Sequence, residues 1–282
     1  MTDTAKELDL TIALNNVRAT TPLVHCITNY VTVNDCANAL LACGGSPIMS
    51  DEPQDVEDIT SICGGLVLNI GTLNAQTIEG MKAAGTKASE LKHAIVLDPV
   101  GAGASKLRTE TAAMLLDTCD VRVIRANMSE AKALTGASNT TRGVDVNPDD
   151  AVTHDNLEAS AKYARELAAS TGAIVAITGA IDLVADAESA YAIYNGCPLM
   201  GRITGAGCML SCVVAAYVVA NPDAPLDAVV AAVAGHGVCG EIAAERIQPA
   251  DGNGSFRTYL LDALYNLDAQ TLCTRAKVEK II

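Results

Sequence analysis

Two kinds of apolar pattern alternate along the chain. Short continuous runs, Pro22-Leu-Val-His-Cys-Ile27, Gly65-Leu-Val-Leu-Asn-Ile-Gly71, Ala94-Ile-Val-Leu-Asp98, Val121-Arg-Val-Ile-Arg125 and Ala173-Ile-Val-Ala-Ile-Thr178, predict strands buried on both faces, with a short extended piece at Ser46-Pro-Ile-Met49. Between them, apolar positions at helical spacing predict helices over 4–18 (Leu8, Ile12, Leu14, Val17), Asn34–Cys43, Pro53–Cys63, Asn74–Ser89, Ser105–Asp117, Asn127–Leu134 and His154–Ser170. Gly44-Gly45 stops the second of these as a C-terminal glycine does. Ile181–Ala185 and Ser189–Ile193 read as an antiparallel hairpin, and helices over 208–220, 225–246 and 254–268 finish the chain. Strands alternating with helices imply an α/β fold, a mostly parallel central sheet flanked by helices on both faces. The polar, turn-rich stretch Thr135–Asp155 is the best candidate for a lid.

Composition narrows the classes. The 282 residues are half apolar, and no Pro/Ser-rich or charged linker divides them, so one domain over 1–282 is expected. A net charge of −14 argues against nucleic acid or an anionic membrane as partner. The start lacks a signal peptide's basic and apolar regions, and the apolar stretches 205–220 and 228–240 are interrupted and short of the ~18 residues of a span. A cytoplasmic protein is therefore expected. The ten cysteines are scattered without a C-x-x-C pair, which favours reduced, buried thiols, and the four histidines show no zinc-ligand spacing.

Candidate chemistry gathers at Arg202-Ile-Thr-Gly-Ala-Gly-Cys-Met-Leu-Ser-Cys212. Thr204, Gly205 and Gly207 predict a tight loop opening into a buried helix, whose free N–H groups favour an anion. The same field is expected to lower the pKa of the Cys208 thiol. The alternative is a Gly-punctuated loop with Cys208 as apolar filler. Leu97-Asp98-Pro-Val-Gly101-Ala-Gly103 has Lys106 where a dinucleotide fingerprint needs a third glycine, and it is no P-loop. Asp98 then faces Mg²⁺ or phosphates, or caps a turn. Asn127-Met-Ser-Glu130 is nearly a capping box, which is the reading the sequence favours; the functional alternative has Glu130 holding a magnesium-bound water, and the two roles can coexist. Arg125 and Thr178 suit the edge of a nucleotide. Asn29, Gly71, Asp98, Asn127, Thr178 and Gly205 all fall just past expected strand ends, where open α/β sheets bind ligands.

With these residues on the page, the chain resembles the hydroxyethylthiazole kinases, ribokinase-fold enzymes of thiamine salvage. The resemblance rests on Pro22–Val31, Ser46–Met49, Asn69–Thr72, Leu97–Gly101, Ile124–Glu130, Arg142–Asp145, Ile177–Gly179, Pro198–Met200 and Ile203–Cys208, in family order over roughly residues 20–220. Most ribokinase-like kinases have Asp where this group, like this chain, has Cys208. The resemblance implies transfer of the γ-phosphoryl group of ATP, with Mg²⁺, to the primary alcohol of 4-methyl-5-(2-hydroxyethyl)thiazole. It implies Arg125 and Thr178 on ATP, with Asn127 and Gly207 beside them. It implies Met49 and Gly205 on the thiazole, with Asn29 and Gly71 lining that pocket. Asp98 and Glu130 would serve the metal, and Cys208 would occupy the catalytic-base position. A homotrimer with substrate sites at subunit interfaces is implied too.

Three positions depart from the family pattern: Ala206 stands in the G-x-G-C turn where Thr is common, Ala126 where Gly is usual, and Ala180 where an acid is frequent. The mechanism expected is an in-line displacement driven by positioning and charge stabilisation. A sibling ribokinase-fold kinase or a nucleotide-dependent hydrate dehydratase is the nearest rival. A nicotinamide dehydrogenase and a non-catalytic nucleotide sensor are more distant ones.

Overall fold

The computed structural model describes residues 8–136 and 150–282. The motif at 142–145 and most of the expected lid lie outside them. Nine strands form one sheet in the order β2-β1-β3-β4-β5-β6-β7-β8-β9: β1 Leu23–Ile27, β2 Ser46–Met49, β3 Gly65–Asn69, β4 Ala94–Asp98, β5 Val121–Asn127, β6 Ile174–Thr178, β7 Asp182–Ala185, β8 Ala190–Ile193 and β9 Val278–Lys280. Strands β2 through β6 pair in parallel, and β7, β8 and β9 add in antiparallel fashion.

Alternate strand residues enter two separate cores, which is why the runs are apolar throughout. Val67 and Val96 join one core, built with α1 (Leu10–Thr20), α2 (Val33–Cys43), α8 (Ala206–Ala220), α9 (Pro225–Glu245), α10 (Asn253–Asn266) and α11 (Ala269–Arg275). Leu66, Leu68, Ile95 and Leu97 join the other, with α3 (Val56–Ile62), α4 (Ala75–Leu91), α5 (Lys106–Thr118), α6 (Met128–Leu134) and α7 (Leu157–Thr171). Local signals set the helix ends: Asn74, Ser105 and Asp268 side chains each accept a first-turn N–H, and Gly44 closes α2 at φ 104°.

Two differences from the sequence pattern stand out. Helix α11 and strand β9 follow the last expected helix. Strand β9 has three residues, one of them apolar, and exists because β8, far back in the chain, offers its edge. Helix α9 has 21 residues and is long and apolar enough to cross a bilayer, although the run looked too short. It is instead a core helix, 78% of its apolar window buried between the sheet, α1, α8, α10 and α11. All ten cysteines are free thiols, seven of them buried.

The register prepares the site. Asn69 pairs with Asp98 and Asn127 with Thr178 at the carboxyl ends of their strands. Asn69, Asp98 and Arg125 stand on the α8 face of the sheet, each following the alternation set by Val67, Val96 and Val123.

Candidate active site

Helix α8 begins above the carboxyl ends of β1, β3, β4 and β5. Gly205, at φ 88°, turns the chain into it, and a Cβ there would stand 2.7 Å from the Thr32 Cγ2 methyl. The turn therefore needs glycine for both backbone conformation and space. No side chain caps the helix, so its first amides face outward unpaired by any cap.

On one side of this turn, the Cys208 sulfur lies 3.2 Å from Asn29 Nδ2 and 3.3 Å from Asn69 Nδ2. Asn69 Nδ2 also donates to Asp98 Oδ2 at 2.7 Å, and Asn29 Nδ2 to Asn69 Oδ1 at 3.0 Å. Gly71 closes the group: its N–H donates to Asn69 Oδ1 at 3.0 Å, and its carbonyl accepts from Arg108 Nη2 at 2.8 Å. The thiol departs from expectation. Burial and the nearby Asp98 carboxylate push it up to about 11, against the opposing Arg125 charge. The helix-terminus field acts locally, but desolvation of a half-buried sulfur beside an acid outweighs it.

On the other side lies a cavity of about 620 Å³, lined by Arg125, Asn127, Thr178, Ala180, Asp182, Gly207 and His236 among others. Arg125 is no surface cation. It is buried, with Nε donating to Ser211 Oγ at 2.9 Å, Nη2 paired with Asp98 Oδ2, and Nη1 3.5 Å from Thr178 Oγ1. A Cβ on Gly207 would come within 2.8 Å of Arg125 Nη1, so glycine lets the helix turn sit against the guanidinium. His236, from the middle of α9, is buried, and its ring meets the Ala206 backbone at the start of α8 but no side-chain partner. Burial holds its pKa down to about 4, so it is neutral near pH 7. A cavity of similar size, about 690 Å³, opens at the amino ends of the strands around Lys92, Asp117 and Arg122, and gathers none of the expected residues.

The two carboxylates differ. Glu130 completes a capping box: its backbone N–H donates to Asn127 Oδ1 at 2.8 Å, and its Oε2 accepts from Asn127 N at 2.9 Å. Glu130 Oε1 accepts from Gly101 N at 2.8 Å, so both oxygens hold backbone amides. Burial, with the Asp98 charge behind it, pushes Glu130 up to about 7 in spite of Arg125. Asp98 takes three donors, Asn69, Ser211 and Arg125, on Oδ2 alone, and its buried Oδ1 has no partner. No cluster of three potential ligand side chains occurs among the described residues. One carboxylate oxygen without a protein partner still fits Mg²⁺, which takes one or two carboxylates and completes its shell with phosphates and water.

Of the residues singled out from sequence, Asn29, Gly71, Asp98, Arg125, Asn127, Glu130, Thr178, Gly205, Gly207 and Cys208 converge around the first turn of α8. Met49 ends edge strand β2, half-buried against the α8-side core, and does not line the cavity. Sequence reading passed over Asn69, Ser211, Asp182 and His236 as site residues. Each is a polar residue in or beside an apolar run, a signal that was available.

Comparison with known proteins identifies the family and the fold. Residues 14–270 match the hydroxyethylthiazole kinase family. A protein named hydroxyethylthiazole kinase in Clostridium acetobutylicum is 53% identical over 266 residues, covering 94% of this chain and 97% of the relative. The solved hydroxyethylthiazole kinase of Pyrococcus horikoshii OT3 superposes with a TM-score of 0.86 at 37% identity, over 97% of this chain and 99% of that one. A ribokinase-like superfamily protein of Enterococcus faecalis, at 13% identity, TM-score 0.58 and 89% coverage of both chains, shares the fold.

Proposed function

The chain belongs to the hydroxyethylthiazole kinase family, and we propose that its first turn of α8 is where the phosphoryl group passes from nucleotide to alcohol. It is a ribokinase-like α/β phosphotransferase that phosphorylates 4-methyl-5-(2-hydroxyethyl)thiazole in thiamine salvage. Kinases of this kind use ATP. The observation that carries the site assignment is the position of Cys208: its sulfur lies against Asn29 and Asn69, while Ala206 and Gly207 next to it line the Arg125 cavity.

In this reading ATP lies in the 620 Å³ cavity, with Arg125 and Thr178 at its phosphates and Asn127 and Gly207 alongside. The amides of residues 205–208 take up charge on the transferring group. Asp98, with Glu130 behind it, would hold Mg²⁺, which would supply further neutralisation of the phosphates when bound. The thiazole stands on the Asn29, Gly71 and Gly205 side, with Met49 closing it, and Cys208 orients the alcohol or takes its proton. At about 11 the sulfur is seldom ionised at neutral pH, which favours orientation.

We further read residues 1–282 as one kinase domain, supported by the single sheet. A homotrimer with sites at the interfaces is supported by Tyr30 and Val31, 77% and 57% exposed immediately after Asn29. A cytoplasmic setting is supported by the ten free thiols. The test is ADP release with hydroxyethylthiazole against a panel of other alcohols, with and without Mg²⁺. Release that depends on the thiazole and on Mg²⁺, and that drops about 10²-fold in Cys208→Ala, is the expected result. Turnover of a different alcohol in preference, or an unchanged Cys208→Ala enzyme, overturns the substrate or the residue assignment respectively.

A further inference from the structure

The amide groups around Cys208 have only one possible orientation each. The Asn69 carbonyl-type oxygen is identified because it accepts from the Gly71 backbone N–H, which can only donate. The Asn29 oxygen is identified in the same way by the Thr32 N–H at 3.1 Å, with the Thr32 hydroxyl at 3.0 Å. Both side chains must therefore present their NH₂ groups to the sulfur. Each NH₂ has two hydrogens, and both are accounted for. Asn69 divides its pair between Asp98 and Cys208, and Asn29 between Asn69 and Cys208. Both asparagines are buried, at 5% and 1% exposure, so water is a poor substitute for either donor.

A thiol sulfur carries one hydrogen and two lone pairs. We infer that Asn29 and Asn69 form a two-donor cradle on Cys208 which, with the Thr32 hydroxyl also beside the sulfur, fixes the direction in which the thiol meets the acceptor alcohol. Asn69 is then a positioning residue, acting on the substrate through Cys208. Its link to Asp98 ties the direction of the sulfur to the carboxylate that Arg125 holds. The inference rests on the placement of the alcohol beside Cys208 proposed above.

A double-mutant cycle tests it. Asn69→Ala is expected to lower kcat about 10- to 100-fold with the KM for ATP nearly unchanged, and to have almost no further effect in a Cys208→Ala background. Additive losses in the double variant overturn the cradle, because a residue acting through the fold or through Asp98 alone would still matter without the sulfur. Asn29→Ala, which leaves the Asp98 contacts intact, repeats the cycle should Asn69→Ala fold poorly. A second readout does not depend on turnover. The Raman S–H band lost between wild type and Cys208→Ala belongs to Cys208, and it must shift in Asn29→Ala or Asn69→Ala. An unshifted band overturns the cradle even in an active kinase. A shifted band with an unchanged Cys208→Ala kcat keeps the cradle's hydrogen bonds but removes its role in positioning the alcohol.

Discussion

On the Asn29 side of the first turn of α8, every amide hydrogen of Asn29 and Asn69 has a partner, and the sulfur is gripped from two directions. On the His236 side, a buried imidazole meets the Ala206 backbone but no side-chain partner, and the first helix amides meet no capping side chain. Arg125 and Asp98 join the two sides through a buried ion pair. The contrast shows a division of labour. In the proposed assignment, the side that would aim a small alcohol is assembled by the protein alone, while the side that would receive a large polyanion leaves polar groups for it to complete.

The most severe way to break this contrast is to cut the bridge. Arg125→Leu leaves Asp98 buried without its cation and should cost about 3–5 kcal/mol of stability, read by chemical denaturation, with activity reduced by at least about 10²-fold. Gly205→Ala forces a side chain into the left-handed region and against Thr32. It should cost about 1–3 kcal/mol and impair both substrates together. Gly207→Ala disturbs one side only. Its Cβ displaces the pinned guanidinium, so the KM for ATP should rise about tenfold with thiazole binding nearly intact, measured by steady-state kinetics for each substrate. His236→Leu removes a buried imidazole that the Ala206 backbone alone contacts through a hydrogen bond, leaving most of its polar capacity unused. It should melt no lower than wild type, while ATP binding measured calorimetrically weakens several-fold.

The smallest effect is in the pH dependence of stability. Glu130 has a folded pKa raised to about 7, so the stability it contributes is full below its ordinary value near 4.5 and is lost as pH rises through 7. His236 is depressed to about 4 from its ordinary 6.5, so its contribution is full above 6.5 and is lost as pH falls toward 4. Thermal midpoints between pH 4 and 7.5 should therefore be flattened by opposing slopes. In His236→Leu only the decline with rising pH should remain from this pair.

Most of the frame could be read from the sequence. The parallel strands are continuous apolar runs because both faces are covered, and the caps at Asn74, Ser105 and Asn127 mark helix starts. The turn at 204–208 announced itself through two glycines. What escaped is whatever depends on tertiary neighbours. The Cys208 thiol was expected to shift down because a helix terminus is visible in sequence, whereas burial beside Asp98 is not. Asn69 looked like part of a strand because its partners, Cys208 and Asp98, come from distant segments. Strand β9 carries almost no pattern of its own, since pairing with β8 defines it. His236 and Ser211 sit in helices so apolar that a polar residue signals a task without naming it.

The in-register pairing of Asn69 with Asp98 has a consequence for how this protein can vary. Extra or missing residues in the loops between β3 and β4 change only the path of the chain. A single-residue deletion inside β3 would turn Asn69 to the opposite face and present an apolar neighbour to the sulfur instead. Natural length variation among homologues should therefore collect in the connections and spare the strands, with the catalytic arrangement inherited as a count of residues.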